Sequence, residues 1–102
     1  MSKQPKNIGS LLARAIGRPE IIRKGHALGA MQSWEEIVGK VVSGRSSPEK
    51  FEAGLLTVKV VGAVWAQELR MKKEIILEKL NEKAGEKVFA DIRFVVCARL
   101  EE

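Results

Sequence analysis

Apolar residues recur along this chain with two different periods, and the switches between them mark its elements. Ile8, Leu11, Leu12, Ala15 and Ile16 follow a polar, unpatterned leader and repeat at the spacing of one helical face. Gly17 and Pro19 read as the end of that short amphipathic helix. Residues 20–26 read as a second short helix or a turn, with Gly25 weakening either choice. A longer stripe follows in Ala27, Ala30, Met31, Trp34, Ile37, Val38, Val41 and Val42, which predicts one helix from Ala27 to Val42. The capping-box string Ser33-Trp34-Glu35-Glu36 offers a start at Trp34 instead. Residues 44–48 have the composition of a loop.

The period then falls to two. Glu49–Ala53 and Leu55–Val61 predict a hairpin around Ala53-Gly54, with Leu56, Val58 and Val60 on the core face and Lys59 outward. Residues 63–84 return to helical spacing, with Trp65, Leu69, Ile76 and Leu80 in line and Lys72 and Lys73 near a gap in the stripe. Glu68 and Lys72 stand in the favoured i, i+4 orientation, and Gly85 suits the position after the helix. A last strand runs from Val88 to about Leu100, with Ile92, Phe94, Val96 and Ala98 on one side and Asp91, Arg93 and Arg99 on the other. The order is α-α-β-β-α-β. A right-handed crossover makes the second and third strands parallel, so the expected fold is α+β: a mixed three-stranded sheet with helices on one face.

Charge adds a division that periodicity does not show. The 102 residues carry 18 bases and 13 acids, a net +5. Residues 1–24 hold Lys3, Lys6, Arg14, Arg18, Arg23 and Lys24 against Glu20 alone, while residues 25–102 are balanced. The chain therefore divides into a basic N-terminal arm, 1–24, and a neutral body, 25–102. Six cations on such an arm suit sequence-independent contact with nucleic-acid phosphates through counterion release. As ordinary chemistry they also describe a solvated helix face, and the arm shares its basic, acid-poor character with transit peptides. The absence of tyrosine argues against an aromatic platform for single strands.

Several classes drop out. No apolar run approaches the ~20 residues of a membrane span, and a single cysteine, Cys97, forms no internal disulfide. With one histidine, His26, it also falls short of a structural zinc site, which takes four ligands. Cys97 lies in an apolar strand far from His26 in sequence, so neither reads as a nucleophile or its base. Adjacent glutamates at 35–36 and 101–102 diverge and cannot flank a substrate. No phosphate-binding glycine loop is present. The expectation is a non-enzymatic binding protein without cofactor, metal or catalytic residues. Trp34 and Trp65 both read as core anchors, with a partner-binding role for whichever lies at the edge of its stripe. Arg70, Lys72 and Lys73 read as a solvated face.

The blocks Trp34-Glu35-Glu36-Ile37-Val38-Gly39, Leu56-Thr57-Val58-Lys59-Val60 and Trp65-Ala66-Gln67-Glu68-Leu69, then Asn81 and Asp91-Ile92-Arg93-Phe94, together resemble a bacterial family. In order and spacing, over residues 8 to 96, the chain is similar to the DciA family of replicative-helicase loaders or operators. The resemblance implies a K-homology-like (KH-like, type II-like) domain over 25–102, binding to a DnaB-type hexameric helicase, assistance in its loading, non-specific DNA binding and a cytoplasmic location. Trp34, Gly39, Trp65, Leu69 and Asn81 are its motif residues and read as structural. KH domains that grip nucleic acid use a GxxG loop between two helices; here residues 65–84 contain no glycine and read as one helix, so that clamp is absent. Family members often extend beyond the domain, whereas this sequence ends at Glu102. The alternative from the same fold is an RNA- or ribosome-associated KH-like protein, and a further one is a pure protein-docking module on the open sheet face.

Overall fold

The computed structural model describes residues 19–101, with side-chain surroundings from residue 21. The predicted helix at 8–16 and the bases Lys3, Lys6, Arg14 and Arg18 lie outside the described residues. The elements are α1 (Pro19–Met31), α2 (Trp34–Val38), α3 (Lys40–Ser43), β1 (Ser46–Glu52), β2 (Leu55–Val61), α4 (Ala63–Met71), α5 (Lys73–Ala84) and β3 (Asp91–Cys97). The sheet order is β1-β2-β3, with β1 antiparallel and β3 parallel to β2. This is the mixed three-stranded α+β arrangement that the strand pattern and crossover rule predict. No helix among the described residues is long and apolar enough to cross a membrane.

The core forms on one face of the sheet. Leu56, Val58 and Val60 of β2 are fully buried, with Phe51 of β1 and Ile92 and Phe94 of β3 beside them. Ala27, Ala30, Trp34, Ile37, Ala66, Leu69, Ile76 and Leu80 close over that face from the helices. The alternate positions of β2 (Leu55, Thr57, Lys59 and Val61) are only partly buried, so the other face stays half-open.

The structure departs from expectation where a continuous period hides a break. The stripe from Ala27 to Val42 is not one helix: α1 stops at Met31, a turn at Gln32-Ser33 intervenes, and α2 starts at Trp34, the alternative start marked by the capping string. Ser33 makes no side-chain cap bond there. Gly39 then separates α2 from α3 with φ +94, ψ 161, backbone space open in practice only to glycine. Pro19 opens α1 rather than ending a helix, which suits its fixed φ and missing N–H.

The helix predicted over 63–84 is interrupted at Lys72 (φ −104, ψ 13). The reason lies in the gap in its stripe. Lys73 follows Leu69 by four residues and precedes Ile76 by three, so a continuous helix turns its ammonium into the core. Burying an unpaired charge costs far more than one broken turn. With the break, Lys73 Nζ reaches Asp91 Oδ1 at 2.9 Å instead. That ammonium, with the Ile92 N–H donated to the same carboxylate, holds Asp91 below the usual carboxylate range.

Two strand limits also move. β1 begins at Ser46 within the expected loop, and Pro48 is tolerated because β1 is an edge strand with a bulge between Pro48 and Lys50. β3 is shorter than predicted: Val88 and Phe89 are buried but belong to the preceding loop. Val96, expected inside, is 47% exposed near the end of this edge strand.

At the hairpin, Ala53 (φ +51) and Gly54 (φ +85) both adopt positive φ, as a two-residue type I′ turn requires. Alanine pays about 1 kcal/mol for this conformation. Ala53→Asn is therefore expected to raise stability by roughly 0.5–1 kcal/mol, read as a thermal midpoint several degrees higher. A lowered midpoint overturns it.

Candidate docking groove and nucleic-acid interface

The interrupted helices enclose an apolar groove. Because Gly39 breaks α2 from α3 and Lys72 breaks α4 from α5, the two helix pairs leave a groove of about 410 Å³ between them. Ile37, Val38 and Val42 form one wall, and Val64, Trp65 and Ile75 contribute to the other. Val64 is 80% and Ile75 55% exposed, and neighbouring Val41 on α3 is 68% exposed. Apolar side chains this open and this clustered mark an interaction site more often than a solvated surface. Glu68, Lys72 and Lys79 also line the groove; Lys72 Nζ lies 3.6 Å from Glu68 Oε2. Such surface pairs contribute little to stability.

The two tryptophans separate clearly. Trp34 is a core anchor: it is buried, its Nε1–H donates to Ser46 Oγ at 2.9 Å, and the Ser46 hydroxyl donates to the Val42 carbonyl at 2.7 Å. That chain ties α2, α3 and β1 together and satisfies Ser46, the buried polar residue of the core. Trp65 packs against the core with only part of its ring and shows the rest to the groove. It is the tryptophan at the edge of its stripe.

The remaining motif residues act through the scaffold. Leu69 is buried in the core, and Gly39 sets the break described above. Asn81 has the most specific task. Its Oδ1 accepts from the Phe89 N–H at 2.8 Å, and its Nδ2–H donates to the Phe89 carbonyl at 3.1 Å. One side chain thus replaces a missing strand partner for both backbone polar groups of buried Phe89. Phe89 in turn meets Phe51 edge to face, with ring centroids 5.1 Å apart.

Of the six predicted phosphate-contacting bases, Arg23 and Lys24 lie within the described residues, exposed on α1. The same helix carries Ala27 and Ala30 into the core. Arg23 Nη2 donates to the Lys87 carbonyl at 3.5 Å, so the fold sets Lys87 beside this pair from across the sequence. Sequence reasoning missed Lys87 because it sits in an irregular loop, where no period signals its direction. His26 Nδ1 contacts Glu86 Oε2 on the same loop, and Cys97 is half-buried. Among the described residues no group of three or more His, Cys, Asp or Glu side chains is placed to hold a metal ion.

The chain is thus a small α+β domain with an apolar groove on its helical layer and Arg23, Lys24 and Lys87 gathered at one end. In comparison with known proteins, the family described as Dna[CI] antecedent, DciA, matches residues 7–94, and the chain belongs to this family. It is 26% identical over 97 residues to a UPF0232 protein of Mycolicibacterium smegmatis, covering 92% of this chain and 48% of the relative. A UPF0232 protein of Rhodococcus jostii is 28% identical over 94 residues, covering 89% and 48%. One from Streptomyces coelicolor is 29% identical over 85 residues, covering 81% and 45%. The chain thus spans about half the length of these relatives.

Proposed function

We propose that this chain is a non-enzymatic DNA-replication accessory protein of the bacterial cytoplasm. It docks on a DnaB-type replicative helicase through the groove centred on Trp65 and assists the helicase onto DNA. Its basic N-terminal segment contacts DNA phosphates without sequence preference. The observation that carries the reading is the family match over 7–94, joined to an open apolar groove on the same domain. A KH-like description is supported by the order helix, strand, strand, helix, helix, strand from α3 to β3. The two-helix junction that holds GxxG in nucleic-acid-gripping KH domains is Met71-Lys72-Lys73 here, without glycine. That favours protein docking by the body and phosphate contact by the arm over RNA reading.

The DNA half is tested by substitution rather than truncation, since removing residues 1–24 also removes the first turns of α1 and unsettles Ala27 and Ala30. Glutamine at Lys3, Lys6, Arg14, Arg18, Arg23 and Lys24 is expected to flatten the plot of log affinity against log salt. For duplex DNA the loss is up to about five units of slope if each base meets one phosphate. Unchanged slope, or no binding by the unaltered chain at low salt, overturns the DNA reading. Direct binding to purified helicase tests the other half separately.

A further inference from the structure

We infer a built DNA-backbone site at the hairpin end of the body, in the hollow walled by Arg23, Lys24 and Lys87; the inference rests on the DNA-binding reading above and extends it from the arm onto the folded domain. The hollow measures about 460 Å³ and is formed where α1, the Ala53-Gly54 turn and the loop before β3 meet. None of these segments is adjacent to another in sequence.

The charges there favour an anion. Lys24 and Lys87 are exposed and pair with no carboxylate among residues 21–101. Arg23 donates one N–H to the Lys87 carbonyl at 3.5 Å, which brings its guanidinium to the wall of the hollow beside Lys87. Against Arg23, Lys24 and Lys87 the lining carries one acid, Glu52, which lies 3.8 Å from Lys50 on the surface, and neighbouring Glu86 contacts His26. A phosphodiester entering here meets cations first.

The walls are also preformed. Asn81 clamps Phe89, and the Ala90 N–H donates to the Gly54 carbonyl at 2.8 Å. The turn and loop touch so closely that a Cβ on Gly54 would come within 3.3 Å of the Ala90 Cβ. Folding has thus already met the entropy of gathering three cations from distant segments, so little ordering cost remains for binding. Phe51 and Phe89 at this end are buried. No aromatic face is offered to a base, and the site reads backbone without sequence. Arg18 immediately precedes α1, so the arm joins the body at the helix that bears Arg23 and Lys24.

The test uses the full chain with a labelled DNA duplex titrated across a salt series. Lys87→Gln is compared with Lys40→Gln, which removes the same charge from the exposed start of α3, outside both the groove and the hollow. Lys87→Gln is expected to lose about 0.9 of the log–log slope, equivalent to roughly five- to tenfold weaker binding at 0.1 M salt, while Lys40→Gln overlays the unaltered chain. If Lys87→Gln also overlays it, or if the two variants weaken binding equally, the site is overturned and the arm reading stands. No binding by the unaltered chain overturns both. Lys87 is exposed and its side chain holds nothing in place, so both variants are expected to melt with the parent.

Discussion

Asn81→Ala is expected to destabilise the domain by roughly 2–4 kcal/mol, lowering its thermal midpoint by on the order of 10–25 °C. The size follows from what the amide does. It satisfies both the N–H and the C=O of Phe89, a residue only 2% exposed. Each buried peptide group left without a partner costs about 1–3 kcal/mol, and the alanine cannot supply either bond. Marginal domains hold ~5–15 kcal/mol in all, so this change approaches the limit of what the fold tolerates. Asn81→Asp separates the two bonds. Its carboxylate still accepts from the Phe89 N–H but places negative charge against the Phe89 carbonyl, so it falls no higher than midway between parent and alanine variant. Thermal denaturation, with hydrogen exchange at the Phe89 amide, checks both. An alanine variant within about 1 kcal/mol of the parent shows that the loop is held by burial of Phe89 alone. The same change loosens the loop that carries Lys87.

Most of the scaffold was legible because its signals are local. β2 and its inward face follow from strict alternation at Leu56, Val58 and Val60, which the structure buries completely. The hairpin follows from Ala53-Gly54, and α5 ends at Gly85 as expected. The breaks at Gly39 and Lys72 were less visible, because an apolar stripe stays in phase across an interrupted helix. Lys73 was the available warning: a charge on the core side of a stripe demands either a buried partner or a break. The candidate sites depend on exactly those less legible features. The groove exists because both helix pairs are interrupted, and the cationic hollow exists because Lys87 sits opposite Arg23. No period in sequence reports a tertiary meeting of that kind. Asn81 was identified as a motif residue, but its partner eight residues on could be recognised only once the irregular loop before β3 was placed.

Trp65→Ala is expected to weaken binding to the DnaB-type helicase by 30-fold or more, while the domain stays folded. A partly buried tryptophan lining an open apolar groove has the character of an interface hot spot, where truncation costs about 2 kcal/mol or more. Part of its ring also packs on the core, so some stability is lost with it, and a second variant guards the test. Val64 lines the same groove but is 80% exposed, so Val64→Asp leaves the core intact. It places a charge where a partner's apolar side chain must dock, and desolvating that charge penalises the complex without penalising the fold. Trp34→Phe supplies the opposite control. It removes the Nε1–H bond to Ser46 and leaves a buried hydroxyl with one partner fewer, costing roughly 1–3 kcal/mol of stability. Trp34 does not reach the groove, so the helicase affinity of the folded protein is expected to hold. The readout is equilibrium binding to purified helicase beside a melting curve for each variant. Trp65→Ala and Val64→Asp that are both folded and bind within threefold of the parent move the helicase contact off this groove. Loss of binding in both, with Trp34→Phe unaffected, separates a tryptophan that holds the fold from one that holds a partner.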